Sequence, residues 1–298
     1  AKGRCDRPRG SMAPLPRVFN GVRQVAAESD AFIVDQWGVL HDGHTLHPHA
    51  VDTLRRLREL GPVALVSNTS RRVEAAQAHV RRLGIQDHKY DAFITAGELA
   101  ARWLEAHIAA HPTPLKVLTL PAAPDPDSLL AGQPVILTED IFDADVIVIL
   151  GITSQDLSHW DPLLQAGADR GLPLLCAHPD VRSLQPDGSF CWCPGAFAVR
   201  FADMGGTVHT FGKPGPDIYR AAMAALGPHD RVAAFGDSLE HDIVGANRMG
   251  FTSVLVTRGI HGPDLGLAPT ERPKPAAVAA LAASYSATVH VAVPTFRW

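Results

Sequence analysis

The segment Ala31-Phe32-Ile33-Val34-Asp35 carries a carboxylate to the end of an apolar run, and Gly38 allows the backbone to turn sharply just beyond it. A carboxylate in that setting can attack phosphorus. The aspartyl phosphate so formed divides one difficult displacement into two easier ones, but two anions must meet. The chemistry therefore demands a divalent cation and further oxygen ligands. Asp237 and Asp242 answer that demand, since both follow a second apolar run, Val232 to Phe235, and lead into a stretch of small residues, Ile243-Val244-Gly245-Ala246. Hard carboxylate oxygens, completed by water, suit magnesium. A transferring group also needs donors. Ser67 and Asn68, after the run Val63 to Val66, offer hydroxyl and backbone N–H groups, and Lys213 in Phe211-Gly-Lys-Pro-Gly-Pro216 offers a fixed cation. Any one of these acids alone reads as a helix cap; three together point to chemistry.

The elements that must position them are short. Apolar runs at residues 31–34, 63–66, 146–150, 172–176, 232–235 and 253–256 end in small or polar residues and precede helical patterns, as in a parallel α/β sheet with right-handed crossovers. Val51, Leu54, Leu57 and Leu60 have the spacing of an amphipathic helix that Gly61-Pro62 stops. In such sheets ligands bind beyond the carboxyl ends of the strands. Asp35, Ser67 and Asp237 all lie there. Thr288 to Val293 alternates like an extended edge strand, although Pro294 and the terminal Trp298 favour simple packing against the core.

Taken in chain order, Asp35, Ser67-Asn68, Lys213-Pro214 and Gly236-Asp237-Ser238 followed by Asp242 resemble the four motifs of the haloacid dehalogenase superfamily, from about Phe32 to about Arg258. The long interval between Asn68 and Lys213 resembles the inserted α/β cap of its 4-nitrophenylphosphatase and pyridoxal phosphatase branch. Leu175-Cys-Ala-His-Pro-Asp180 is similar to the Asn-Pro-Asp segment of that cap, with His178 in place of Asn. Pro194-Gly195-Ala196 and Met204-Gly-Gly206 resemble its return to the core. The resemblance implies a Rossmann-like core over residues 17–86 and 200–298 and a C2-type cap over 87–199, while residues 1–16, rich in Arg, Pro and Gly, read as a flexible leader. It further implies Asp35 as nucleophile, with magnesium held by Asp35, the backbone carbonyl of Trp37, Asp237 and Asp242. Ser67, Asn68 and Lys213 would hold the phosphate, and His178 and Asp180 would face the substrate from the cap. A small phosphorylated metabolite is the implied substrate, and dimerisation through the cap is common in this branch.

Composition agrees with a small-molecule enzyme. The chain has 298 residues, 46% of them hydrophobic, and a formal charge of -4, which gives no basic field for nucleic acid or an anionic membrane. Its longest apolar runs fall well short of the ~20 residues that cross a bilayer, and no signal segment opens it, so a cytoplasmic location is expected. Cys5, Cys176, Cys191 and Cys193 are too few and too irregular for a disulfide framework, and Cys191-Trp-Cys193 lacks the second pair of a zinc site. His41, His44, His47 and His49 read as a polar loop. Trp103 and Trp160 read as cap core.

One departure matters. Phosphatases that this sequence resembles carry a second Asp two positions beyond the nucleophile, as general acid and base; here that position is Trp37. Indole exchanges no proton, and loss of a general acid costs roughly 10² to 10⁴ in rate. The sequence thus leaves open a slow or specialised phosphatase in which an acidic leaving group, the substrate, or a nearby residue such as His41 or Asp42 does the proton work. It also leaves open dehalogenation, phosphonate cleavage or transfer, and a phosphometabolite-binding protein without turnover.

Overall fold

The computed structural model describes residues 14–120, 128–152, 154–185, 187–267 and 271–298. The expected leader lies outside these up to residue 13, and Pro16 is already buried. Fourteen strands follow in chain order: β1 Arg17–Val18, β2 Ala31–Asp35, β3 Val63–Ser67, β4 Ala92–Thr95, β5 Lys116–Leu120, β6 Ile136–Thr138, β7 Val146–Ile149, β8 Pro173–Cys176, β9 Arg182–Leu184, β10 Phe190–Trp192, β11 Thr207–Thr210, β12 Val232–Gly236, β13 Thr252–Val256 and β14 Val291–Val293. They form a seven-stranded parallel sheet ordered β1-β14-β13-β12-β2-β3-β4, a five-stranded parallel sheet ordered β11-β8-β7-β5-β6, and an antiparallel β9–β10 pair. The Rossmann-like α/β core with an inserted α/β unit is therefore what this sequence builds.

The central strands β2 and β12 are buried along their whole length, which is why they read as continuous apolar runs rather than alternating ones. Phe32 and Val34 pack on one face with Leu65, Phe235 and Val254. Ala31 and Ile33 pack on the other with Ala64, Val66, Ala234 and Tyr219. The spaced leucines form the helix Ala50–Arg58, where Leu54 and Leu57 are fully buried.

Three expectations shift. β4 is hydrogen-bonded to β3 and β11 to β8, so the chain leaves the first sheet after residue 95 rather than 86, and rejoins it after 210 rather than 199. β4 was hidden because Thr95 ends the strand and at once caps the helix Ala96–Ala110, its hydroxyl accepting from Glu98 N, so the helical pattern dominates. β14 is no edge strand: it is wholly buried between β13 and β1, and β1 takes the edge. In the second layer, Trp103 stacks on His107 and Trp160 meets Phe197 edge-on, filling the packing there. Cys176, Cys191 and Cys193 are free thiols. No helix among the described residues is long and apolar enough to cross a membrane.

Phe235 sits against Phe32 and Phe296 in the middle of the first sheet. Phe235→Ala is expected to cost about 3–5 kcal/mol, the usual range for emptying a buried aromatic site. Urea unfolding followed by circular dichroism measures it, and a loss below about 1 kcal/mol would contradict this account of the core.

Candidate active site

Asp35 ends β2, and Asp237 follows its neighbour β12, so sheet pairing alone sets two carboxylates side by side. The third arrives through an irregular turn. At Leu239–Ile243 the helix widens to a π turn in which Asp242 N and Ile243 N both donate to the Ser238 carbonyl, at 2.9 and 3.1 Å. Asp242 thereby folds back over the strand end, where a Cβ on Gly236 would lie 2.0 Å from its Cγ. Gly38 meets a similar constraint. It has φ +77°, and a Cβ there would lie 2.0 Å from Asp237 Oδ2.

The outcome is a dense knot of charge. Oxygens of Asp35, Asp237 and Asp242 lie within 4.8 Å of one another, and all three residues are buried. Lys213 Nζ donates to Asp35 Oδ1 at 2.5 Å and to Asp242 Oδ1 at 2.7 Å, while Ile260 N donates to Asp237 Oδ2 at 2.7 Å. One ammonium thus faces three carboxylates. Burial and the neighbouring Asp242 push Asp35 up to about 7, even against the pull of Lys213. Burial, then Asp35 and Asp242, raise Asp237 well above the carboxylate range. Such a site is short of positive charge, and an oxygen set of this kind fits a hard divalent cation. Among the described residues, no hydrogen bond is donated to the Trp37 carbonyl, which leaves it free to join that set.

The remaining expected residues converge on the same cavity, of about 620 Å³, which both layers line. Ser67 lines it, its Oγ accepting from Thr69 N at 3.3 Å. The Asn68 side chain is a strut: Oδ1 accepts from Lys213 N at 2.7 Å, and Nδ2 donates to the Lys213 carbonyl and, at 2.7 Å, to Asp180 Oδ1. Asp180 also faces His178 and His241, each at 3.4 Å. Burial would raise its pKa, but His241, His178 and Asn68 hold it well below the usual range. For His178 burial opposes the charge, yet Asp180 and Cys193 lift it to about 10. Trp37 spans the layers differently: its Nε1 donates to the Leu184 carbonyl at 3.4 Å, and its ring lies over Gly43.

The histidine loop is not simply polar. His41 is buried, edge-on to Trp37 and His79, and its Nδ1 accepts from Gly43 N at 3.0 Å. Burial first, then His79 and His47, lower it to about 4. His241, the Ile260 amide, Arg71, Arg182 and Arg258 were not singled out from the sequence, yet all line or shape the site. The position of Arg258 just past the apolar run 253–256 was a usable signal.

Residues 32–121 match the haloacid dehalogenase-like hydrolase family model, and residues 210–283 match a second model described as HAD-hydrolase-like. These two stretches hold every expected core motif. The chain belongs to the haloacid dehalogenase-like hydrolases. Chronophin of Rattus norvegicus is 25% identical over 86% of this chain and 82% of its own length. D-glycerol 3-phosphate phosphatase of Mycobacterium tuberculosis is 29% identical over 80% of this chain and 66% of its own. The solved structure of a haloacid dehalogenase-like hydrolase from Brucella suis superposes with a TM-score of 0.75 at 25% identity, covering 93% of this chain and 99% of that one. One of these relatives is a phosphatase by name.

The charge balance of the hydrolase has a measurable sign. Native Asp35 keeps its proton up to about 7, whereas an unfolded Asp loses it near its ordinary value, so the cation-free native state binds more protons between the two and loses stability as pH rises. Magnesium is therefore expected to raise Tm more at pH 8 than at pH 5.5. Equal shifts at the two pH values in differential scanning calorimetry would contradict it. Gly38→Ala should remove most of that shift by displacing Asp237, besides a backbone cost of about 1–2 kcal/mol for a left-handed alanine.

Proposed function

We propose that this hydrolase is a magnesium-dependent phosphatase of a small phosphorylated metabolite, working through an aspartyl phosphate on Asp35. The observation that carries the reading is the buried group of Asp35, Asp237 and Asp242 around Lys213 in the lining of a metabolite-sized cavity. The name of the Mycobacterium tuberculosis relative, D-glycerol 3-phosphate phosphatase, supports it. Asp35 attacks phosphorus, the alcohol departs, and water then cleaves the acyl phosphate. Lys213 and the Ser67 hydroxyl hold phosphoryl oxygens, and Asn68, whose side chain is engaged as a strut, contributes through its backbone. Asp35, Asp237, Asp242 and the Trp37 carbonyl would hold magnesium, which when bound supplies the charge neutralisation that lets an anion approach a phosphate.

Proton supply sets the character of the enzyme. His41 accepts at Nδ1, so its neutral ring carries the proton on Nε2, and a ring that protonates only near 4 gives no acid at neutral pH. Burial would raise Asp42, but the amides of Thr45 and His44 hold it at about 2. Neither replaces the acid that Trp37 lacks. The chain is thus suited to substrates whose leaving group departs without help or carries its own proton donor.

Phosphate release from 4-nitrophenyl phosphate and from alkyl phosphates, with and without magnesium, tests this. Asp35→Asn is expected to abolish turnover. Trp37→Asp should raise kcat on alkyl phosphates by about tenfold or more while changing 4-nitrophenyl phosphate, a good leaving group, far less. If the native chain releases no phosphate from any ester, yet binds them with magnesium, the phosphometabolite-binding alternative takes its place.

A further inference from the structure

Many guanidiniums among the described residues are matched to carboxylates, as in Arg58 with Asp91, Arg72 with Glu98 and Arg200 with Asp161. Those lining the catalytic cavity are not. Arg182, at the start of β9, and Arg258, just past β13, have no carboxylate within ion-pair distance among the described residues, and Arg71 after β3 is in the same position. The acids of the cavity each face a donor other than these arginines, Asp237 the Ile260 amide. Asp35 and Asp242 hold Lys213, Asp180 faces His178 and His241, and Asp42 is turned onto the amides of His44 and Thr45.

Arg182 comes from the inserted layer and Arg258 from the core, so the two guard the cavity from opposite sides of the junction. The Phe190 ring, 4.4 Å from the Arg182 guanidinium, restrains that side chain. Both arginines line the one cavity that also holds Asp35 and Lys213. A guanidinium offers a planar fork suited to a carboxylate or a phosphate. The transferring phosphoryl group already has its own donors at Ser67 and Lys213.

Resting on the phosphatase reading, we infer that the substrate carries a second anionic group, a carboxylate or a second phosphate, which Arg182 and Arg258 clamp while the scissile phosphate sits at Asp35. The two arginines then determine specificity rather than rate of bond breaking, and phosphate esters with uncharged tails are the poorer substrates.

Matched pairs of probes test it with the magnesium-loaded native chain. The ratio of kcat/KM for 3-phosphoglycerate over glycerol 3-phosphate reads a carboxylate tail, and that for fructose 1,6-bisphosphate over fructose 6-phosphate reads a phosphate tail. At least one ratio is expected to exceed about ten, and Arg182→Gln and Arg258→Gln should each lower it about tenfold to a hundredfold, the loss on removing a charge-assisted hydrogen bond. Arg182→Lys should retain part of it. Ratios near one in both pairs, or a ratio that neither substitution lowers, overturn the inference. Should no ester release phosphate, the phosphatase reading fails by itself, and titration calorimetry of the magnesium-loaded chain with the same four compounds decides the clamp. Binding about tenfold tighter for the doubly anionic member of a pair sustains it, and equal affinity overturns it.

Discussion

Three buried carboxylates around a single ammonium are unstable company, and much of the local architecture exists to tolerate them. Coulomb repulsion at these separations is strong wherever water is excluded. The chain holds the acids in place by steric means: Gly38 and Gly236 leave no side chain where Asp237 and Asp242 must lie, and a widened helical turn folds Asp242 back over the strand end. Lys213 is itself fixed by the amide of Asn68, so the only internal cation of the group cannot relax away. A site so constrained resists reorganisation, which is the property that makes preorganised charge effective in phosphoryl transfer.

The junction between the layers extends the same network. Asn68 passes it to Asp180, Asp180 to His178 and His241, and Trp37 adds a separate link to the Leu184 carbonyl. Trp37 is thus a side chain of the core that reaches the inserted layer.

The core of this arrangement was legible in the sequence because it follows from strand ends. Asp35, Ser67 and Asp237 each terminate or follow a fully buried parallel strand, and such strands announce themselves as apolar runs. Short or half-exposed strands did not: β6, β9 and β10 have only three residues each, with exposed positions, and β4 is masked by the helix that begins at its last residue. The environment of His41 was also invisible, since alternating histidines look alike until one of them is buried against an indole. Arg182 and Arg258 were missed for a different reason. Their meaning lies in lacking partners, and pairing is a property of three dimensions.

The topology has a kinetic consequence. The strands of the five-stranded sheet lie in one continuous stretch between residues 116 and 210, whereas the seven-stranded sheet needs β2 and β12 to meet across that entire insertion. Closing so long a loop costs entropy that no local contact repays, although the cost grows only logarithmically with length. If the insertion condenses first, the loop that remains is effectively short, and the central pair can join. The carboxylates at the ends of β2 and β12 become neighbours only when those strands pair. A chain in which β2 and β12 have not yet paired therefore displays these acids singly, and the dense group of carboxylates exists only once the two strands meet.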